Sequence, residues 1–213
     1  MDLGLHTNCT AFEGARCIAA GELAEVALKA KVAADKGEHV LIFDDATSEA
    51  NEVDFRGTAE DVLQRLTRTD GSHAASAPDT PRGPGRPKLG VVAREVTLLP
   101  RHWEWLSAQP GGASVALRKL VEEARRTNAG KDRVRQSQEA TYRFMSAMAG
   151  NREGFEEATR ALFAGQRERF EQLIAGWPRD ICDHARKLAV NAFETAVLGE
   201  ATSGDHAAVA GGS

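Results

Sequence analysis

Arg82, Arg86 and Lys88 stand in the run Arg82-Gly83-Pro84-Gly85-Arg86-Pro87-Lys88, and cations spaced by proline and glycine suit one kind of chemistry, the neutralising of phosphates. Proline holds such a backbone extended and glycine keeps it slim. An arm of this kind can lie in the minor groove of A·T-rich duplex, where the groove is narrow and its negative potential enhanced. Behind the arm, Arg94 and Thr97 belong to the β-prone run Arg94-Glu95-Val96-Thr97-Leu98-Leu99, which ends at Pro100. Ser114 stands where its hydroxyl could cap a helix start whose free N–H groups favour an anion, and Arg118 and Lys119 follow in the next turn. These eight residues are the expected DNA contacts. The strand has two possible registers, one turning Arg94, Val96 and Leu98 outward and the other Glu95 and Thr97, while contacts to phosphate and minor groove hold in either.

Other chemistry finds little footing. No G-x-S-x-G elbow, H-E-x-x-H pair, phosphate-binding loop or complete dinucleotide glycine fingerprint is present, since Lys88 stands where the third glycine after Gly83 and Gly85 belongs. Asp44-Asp45 ends a strand-like run and carboxylates so placed can hold Mg²⁺. Without a phosphate loop, a strand running into a solvated turn is the better account. Cys9, Cys17 and Cys182 are odd in number and form no C-x-x-C pair, and Cys182 and His184 are two apart, which on a helix separates them. His102 reads as an amphipathic surface residue. No catalytic function, cofactor or metal is expected.

The 213 residues are 42% hydrophobic and 27% charged, a globular composition, and the net charge of −4 is unevenly spread. Residues 1–81 hold seven cations against 15 anions, net −8; residues 82–135 hold 12 against five, net +7; residues 136–213 hold eight against 11, net −3. A basic middle between acidic flanks points to a polyanion partner, because binding responds to the local field. No basic start with an apolar run opens the chain and no stretch of 18 apolar residues occurs, so neither a leader nor a membrane span is expected. The cysteine usage suits a reducing cytoplasm, and DNA binding would place the protein at the nucleoid.

Elements must hold these residues in place, and the pattern predicts an α+β chain. Residues 1–67 read as a ββαββα unit, one sheet with helices on one face. Its strands are Cys9 to Phe12 and Arg16 to Ala20, then a helix from Gly21 to Lys36 stopped by Gly37, the strand His39 to Phe43, and a partner strand Glu52 to Phe55 after the turn Thr47 to Asn51. A second helix starts behind Thr58, with Asp61 reaching back. Residues 68–90 form a linker that ends in the basic arm. Residues 91–127 hold strand, helix (Arg101 to Gln109), the turn Gly111-Gly112 and helix, with Leu117, Leu120, Val121 and Ala124 as an apolar stripe. Thr127 to Lys131 reads as a polar break. Residues 132–198 form a helical bundle with helix ends at Gly150 and Gly165 and a last helix opened by Pro178, and residues 199–213 a frayed tail.

Gly85-Arg86-Pro87 resembles the centre of the AT-hook, with Pro84 in place of its first arginine and Arg82 two places earlier. Residues 91–127 resemble the ribbon-helix-helix family. That resemblance implies a homodimer whose paired strands enter the major groove while the second helix's N-terminus meets phosphate. From Thr10-Ala11-Phe12 through Leu41-Ile42-Phe43-Asp44-Asp45-Ala46-Thr47 and residues 85–100 to Trp177-Pro178, the chain looks like a bacterial family catalogued only as a domain of unknown function, which implies no activity. The expectation is a dimeric DNA-binding protein, a transcriptional regulator or nucleoid-associated protein. Its rivals are a protein-interaction adaptor working through the acidic N-terminal unit and the C-terminal helices, and an enzyme using Asp44 and Asp45 with a divalent ion.

Overall fold

A computed structural model of the chain describes residues 6–71, 92 and 94–194. The protein is α+β, with elements β1 (Asn8–Glu13), β2 (Arg16–Glu22), α1 (Leu23–Ala34), β3 (Val40–Asp44), β4 (Ala50–Asn51), α2 (Ala59–Gly71), α3 (Pro100–Ser107), α4 (Gly112–Ala149), α5 (Phe155–Phe163), α6 (Arg167–Ile174) and α7 (Arg179–Leu188). A 3-10 turn at Ala189–Asn191 follows. Among the described residues, 6–71 and 130–194 form one compact unit and 92–129 a second. No helix among the described residues is long and apolar enough to cross a membrane.

The strands of the first unit form an antiparallel sheet in the order β2-β1-β3-β4. Gly14 turns β1 into β2 at φ +56°, a conformation that costs little without a Cβ. Successive residues of a strand point to opposite faces, and β1 pairs with β3 so that Ala11 meets Ile42 and Phe12 meets Leu41. Cys9, Ala11 and Ile42 therefore share one face and pack with Leu23, Val26 and Ala30 of α1. Phe12 and Phe43 go to the other face. Thr58 and Asp61 bond reciprocally at the start of α2, each side chain taking the other's backbone N–H, at 2.8 and 3.2 Å.

Helices were expected on one face of the sheet; the structure covers both. Phe12 and Phe43 share a buried core with Phe144 and Met145 of α4, Leu162 of α5, Phe170 and Ile174 of α6, and Ile181, Ala185 and Leu188 of α7. Val40 to Phe43 is apolar on both sides of the pleat, and a strand of that kind must be buried on both. Three local boundaries also shift. β4 is Ala50–Asn51, where a turn was expected, and Glu52 to Phe55 forms no strand. Gly21 lies in β2, and α1 begins at Leu23. The break expected at Thr127 to Lys131 lies inside the 38-residue α4. Its interior glycine, Gly130, costs roughly 1 kcal/mol relative to alanine. Asn128 Nδ2 offsets part of that by donating to Ala124 O at 2.9 Å, and the pairs Arg125–Glu122 and Arg135–Asp132 flank it at i,i+3.

The junction between sheet and helices is aromatic. The Phe144 ring lies 5.3 Å from both Phe12 and Phe43, and His184 packs against Phe144 at 4.5 Å and Phe12 at 5.4 Å. Polar contacts fasten its rim. Cys17 N donates to Asp180 Oδ2 at 2.8 Å, Lys187 Nζ to Asp45 Oδ2 at 2.6 Å, and the Arg143 guanidinium to Thr47 O. His184 is 7% exposed and its Nε2 has no hydrogen-bond partner. Burial pushes its pKa down to about 4, with Lys187 acting the same way and Asp45 against it.

Stability should therefore fall on mild acidification. Unfolded, His184 takes a proton near its ordinary pKa of about 6.5, while the folded site refuses it until about pH 4. Stability is full above that upper value and declines between the two, by about 3 kcal/mol in all. Asp54 and Asp61, held below the usual carboxylate range by their hydrogen bonds to Arg56 and Thr58, lose their contributions only at lower pH. Urea unfolding of the wild type at pH 7 and pH 4.5 should show the decline, and His184→Leu should flatten it.

Candidate nucleic-acid interface

In the second unit, Leu99 is extended, at φ −66° and ψ 150°, as a residue before proline must be, and Pro100 opens α3 where its missing N–H is harmless. The amide N–H groups of His102 and Trp103 donate to Leu99 O. Gly111 and Gly112 then turn the chain at φ +87° and +73°, and a Cβ on Gly111 would come within 3.2 Å of the Val115 side chain. Because α4 begins at Gly112, Ser114 lies inside its first turn and is not the expected cap. Its carbonyl accepts Arg118 Nε at 3.1 Å. Leu106 and Ala116 are the buried apolar residues of this unit among those described.

Of the expected DNA contacts, Arg82, Arg86 and Lys88 lie outside the described residues. Arg94 and Thr97 are exposed, and residues 94–99 form no strand within the single chain. Ser114, Arg118 and Lys119 are exposed along the start of α4. The structure adds two cations that the sequence reasoning did not single out, Arg101 on α3 and Arg126 on α4, both exposed. A helical signal was available for the second, since Arg126 is seven residues, nearly two whole turns, beyond Lys119 and so shares its face. Six cations are described in this unit: Arg94, Arg101, Arg118, Lys119, Arg125 and Arg126. Among the described residues only Arg125 has a carboxylate partner, Glu122 at 2.9 Å.

The two aspartates at the end of β3 do structural work. Asp44 is 5% exposed, and its Oδ1 accepts the N–H groups of Ala46 at 2.8 Å and Thr47 at 2.7 Å and the Thr47 hydroxyl at 3.0 Å. That is an Asx turn, in which a side-chain oxygen replaces a backbone acceptor. Asp45 Oδ1 takes the Thr10 hydroxyl at 2.6 Å while Oδ2 holds Lys187. Asp44 Oδ1 and both oxygens of Asp45 thus accept from donors of the chain itself. Beside them the Cys9 thiol is raised to about 11, first by burial and then by Asp44 and Asp45, so it stays protonated and inert as a nucleophile. No group of three or more His, Cys, Asp or Glu side chains that could hold a metal occurs among the described residues.

Fold and surfaces together define a bacterial α+β protein with a core around a four-stranded sheet and a separate cationic two-helix unit. The chain belongs to the family described as "Uncharacterized protein conserved in bacteria (DUF2239)", whose profile matches residues 8–189. Comparisons with curated proteins and with solved structures returned no match.

If Asp44 serves the turn, Asp44→Ala should lower stability by about 1 kcal/mol or somewhat more, as part-buried donors of Ala46 and Thr47 lose their acceptor. Thermal unfolding of the wild type should not shift with millimolar Mg²⁺; an upward shift that Asp44→Ala abolishes would return these carboxylates to metal chemistry.

Proposed function

We propose that this protein binds DNA without catalysing a reaction on it, as a transcriptional regulator or nucleoid-associated protein. The observation that carries the proposal is ionic: residues 82–135 hold a charge of +7 in a chain of net −4, and five of the six described cations of the two-helix unit have no carboxylate partner among the described residues. Cations without a carboxylate partner suit phosphates, whose counterions they would release. Arg82, Arg86 and Lys88 form the arm, an A·T-rich minor groove its preferred seat. Arg94, Thr97, Ser114, Arg118 and Lys119 belong to the strand-helix-helix module.

The same proposal makes the module a homodimer. Val96, Leu99, Leu120 and Val121 are 54%, 49%, 44% and 55% exposed, more apolar surface than a lone two-helix unit keeps wet, and a second copy pairing at residues 94–99 would cover it. That surface also favours one rival, a non-enzymatic adaptor that places a different protein on the seam while the acidic sheet unit and the helices behind it make further contacts.

Fluorescence anisotropy on A·T-rich and G·C-rich duplexes at several salt concentrations tests the proposal. Log affinity should fall with log salt by about 0.9 per phosphate contact, and changing Lys119 and Arg126 together to alanine should lower that slope by about two contacts. Light scattering on the same sample should give twice the chain mass. Binding that is weak and indifferent to salt, or a monomer that captures a different protein, would sink the DNA reading in favour of the adaptor.

A further inference from the structure

Two large aromatic side chains of the cationic unit are left in water. Trp103 is 39% and Trp105 is 53% exposed, whereas the third tryptophan, Trp177, is 6% exposed and donates its indole N–H to Glu153 O at 3.1 Å. Among the described residues neither Trp103 nor Trp105 has an aromatic or cationic partner on its ring or a partner for its indole N–H. A tryptophan buries a large apolar area in most proteins, so an open indole on a well-formed helix marks a contact yet to be made. Its neighbours identify the contact. On a helix, residues three and four apart share a face, which sets Arg101 and His102 one turn before Trp105, and both are exposed.

We propose that Trp105, with Arg101 and His102, is a stacking platform for an unpaired nucleobase, and that the preferred ligand of this unit is single-stranded nucleic acid. The inference rests on the nucleic-acid reading above and gives this unit a ligand other than the duplex groove proposed for the arm of residues 82–88. A cation beside an open aromatic ring recognises a polymer carrying both phosphates and accessible π-faces. Duplex offers the phosphates but keeps its base faces stacked on one another, so Trp105 would have no place there. A second copy of the chain is a poorer occupant of this face. A two-fold axis through it would bring Arg101 near its own symmetry mate and set like charge against like. Trp103, one turn after Leu99 and one before the buried Leu106, borders the apolar side of α3 and is the lesser contributor.

The test uses the full chain and three probes of one length: labelled single-stranded DNA, single-stranded RNA of matching sequence, and the DNA duplex. The single strands should bind roughly tenfold tighter than the duplex at equal salt, with quenching of tryptophan fluorescence on binding. Tighter binding of the DNA or the RNA strand would name the source of the ligand, and either supports the platform. Trp105→Ala should weaken single-strand binding roughly tenfold, and Trp105→Phe, which keeps a π-face, should hold within about threefold. Unchanged single-strand affinity in Trp105→Ala, or a duplex that binds as well as the strand, would overturn the platform and leave DNA binding standing. A wild type that binds none of the three probes would remove both. A Trp105→Ala chain that loses mass by light scattering would assign the indole to self-association and overturn the platform as well.

Discussion

Phe144 closes the structure. Its ring meets Phe12 and Phe43 from two different strands and His184 from α7, so one side chain near the C-terminal end of α4 joins the sheet to α7. The constraint behind this is the sheet's second face. β1 and β3 put apolar side chains on both sides of the pleat, and α1 covers only one. A four-stranded sheet with a wet apolar face would not be stable alone, and the helices from α4 to α7 supply the missing layer. Most of what fastens this layer at its rim depends on the same arrangement. Asp180 can accept Cys17 N and Lys187 can reach Asp45 only because α7 is held against the sheet.

That arrangement also accounts for where the most reactive-looking residues are engaged. Asp44 and Asp45 sit where a strand ends, a common place for a metal-binding carboxylate pair, but the turn consumes one and α7 holds the other. His184 and Cys9 are buried beside them and driven toward their neutral forms, the imidazole by loss of water and the thiol by loss of water with two nearby negative charges. A neutral histidine among phenylalanine rings fills space as an aromatic group would. Here titratable residues have been taken into the packing of the core.

The two-helix unit has the opposite character. Among its described residues little is buried, the cations are mostly without a carboxylate partner, and most of the large aromatic and aliphatic side chains face water. Charge and apolar surface kept open together suit a binding module better than a folding core, since each would be spent internally if stability were the only requirement. Membership in a bacterial family whose profile covers residues 8–189 takes in both units, so the open module and the closed core belong to one architecture.

Much of this was legible in the residues alone. The ββαββα order, the turn at Gly14, the reciprocal Thr58–Asp61 cap, Pro100 at a helix start and helix ends near Gly150 and Gly165 all follow from rules that act within a few residues. The positive segment was legible too, because charge needs no folding to be counted. Other features required the tertiary structure. Thr127 to Lys131 carries the composition of a break, yet α4 passes through it, because i,i+3 ion pairs and packing of its C-terminal part outweigh one glycine. Ser114 has the chemistry of a cap, but the helix begins two residues earlier, where Gly111 and Gly112 permit the turn. Whether Asp45 is a ligand or the partner of Lys187, and whether His184 meets water or the rings of Phe12 and Phe144, depends on partners as many as 172 positions away. The sequence by itself determined which short segments fold and what charge they carry. Only the tertiary structure decided which side chains lose their water, because burial depends on contacts between segments that the chain order does not bring together.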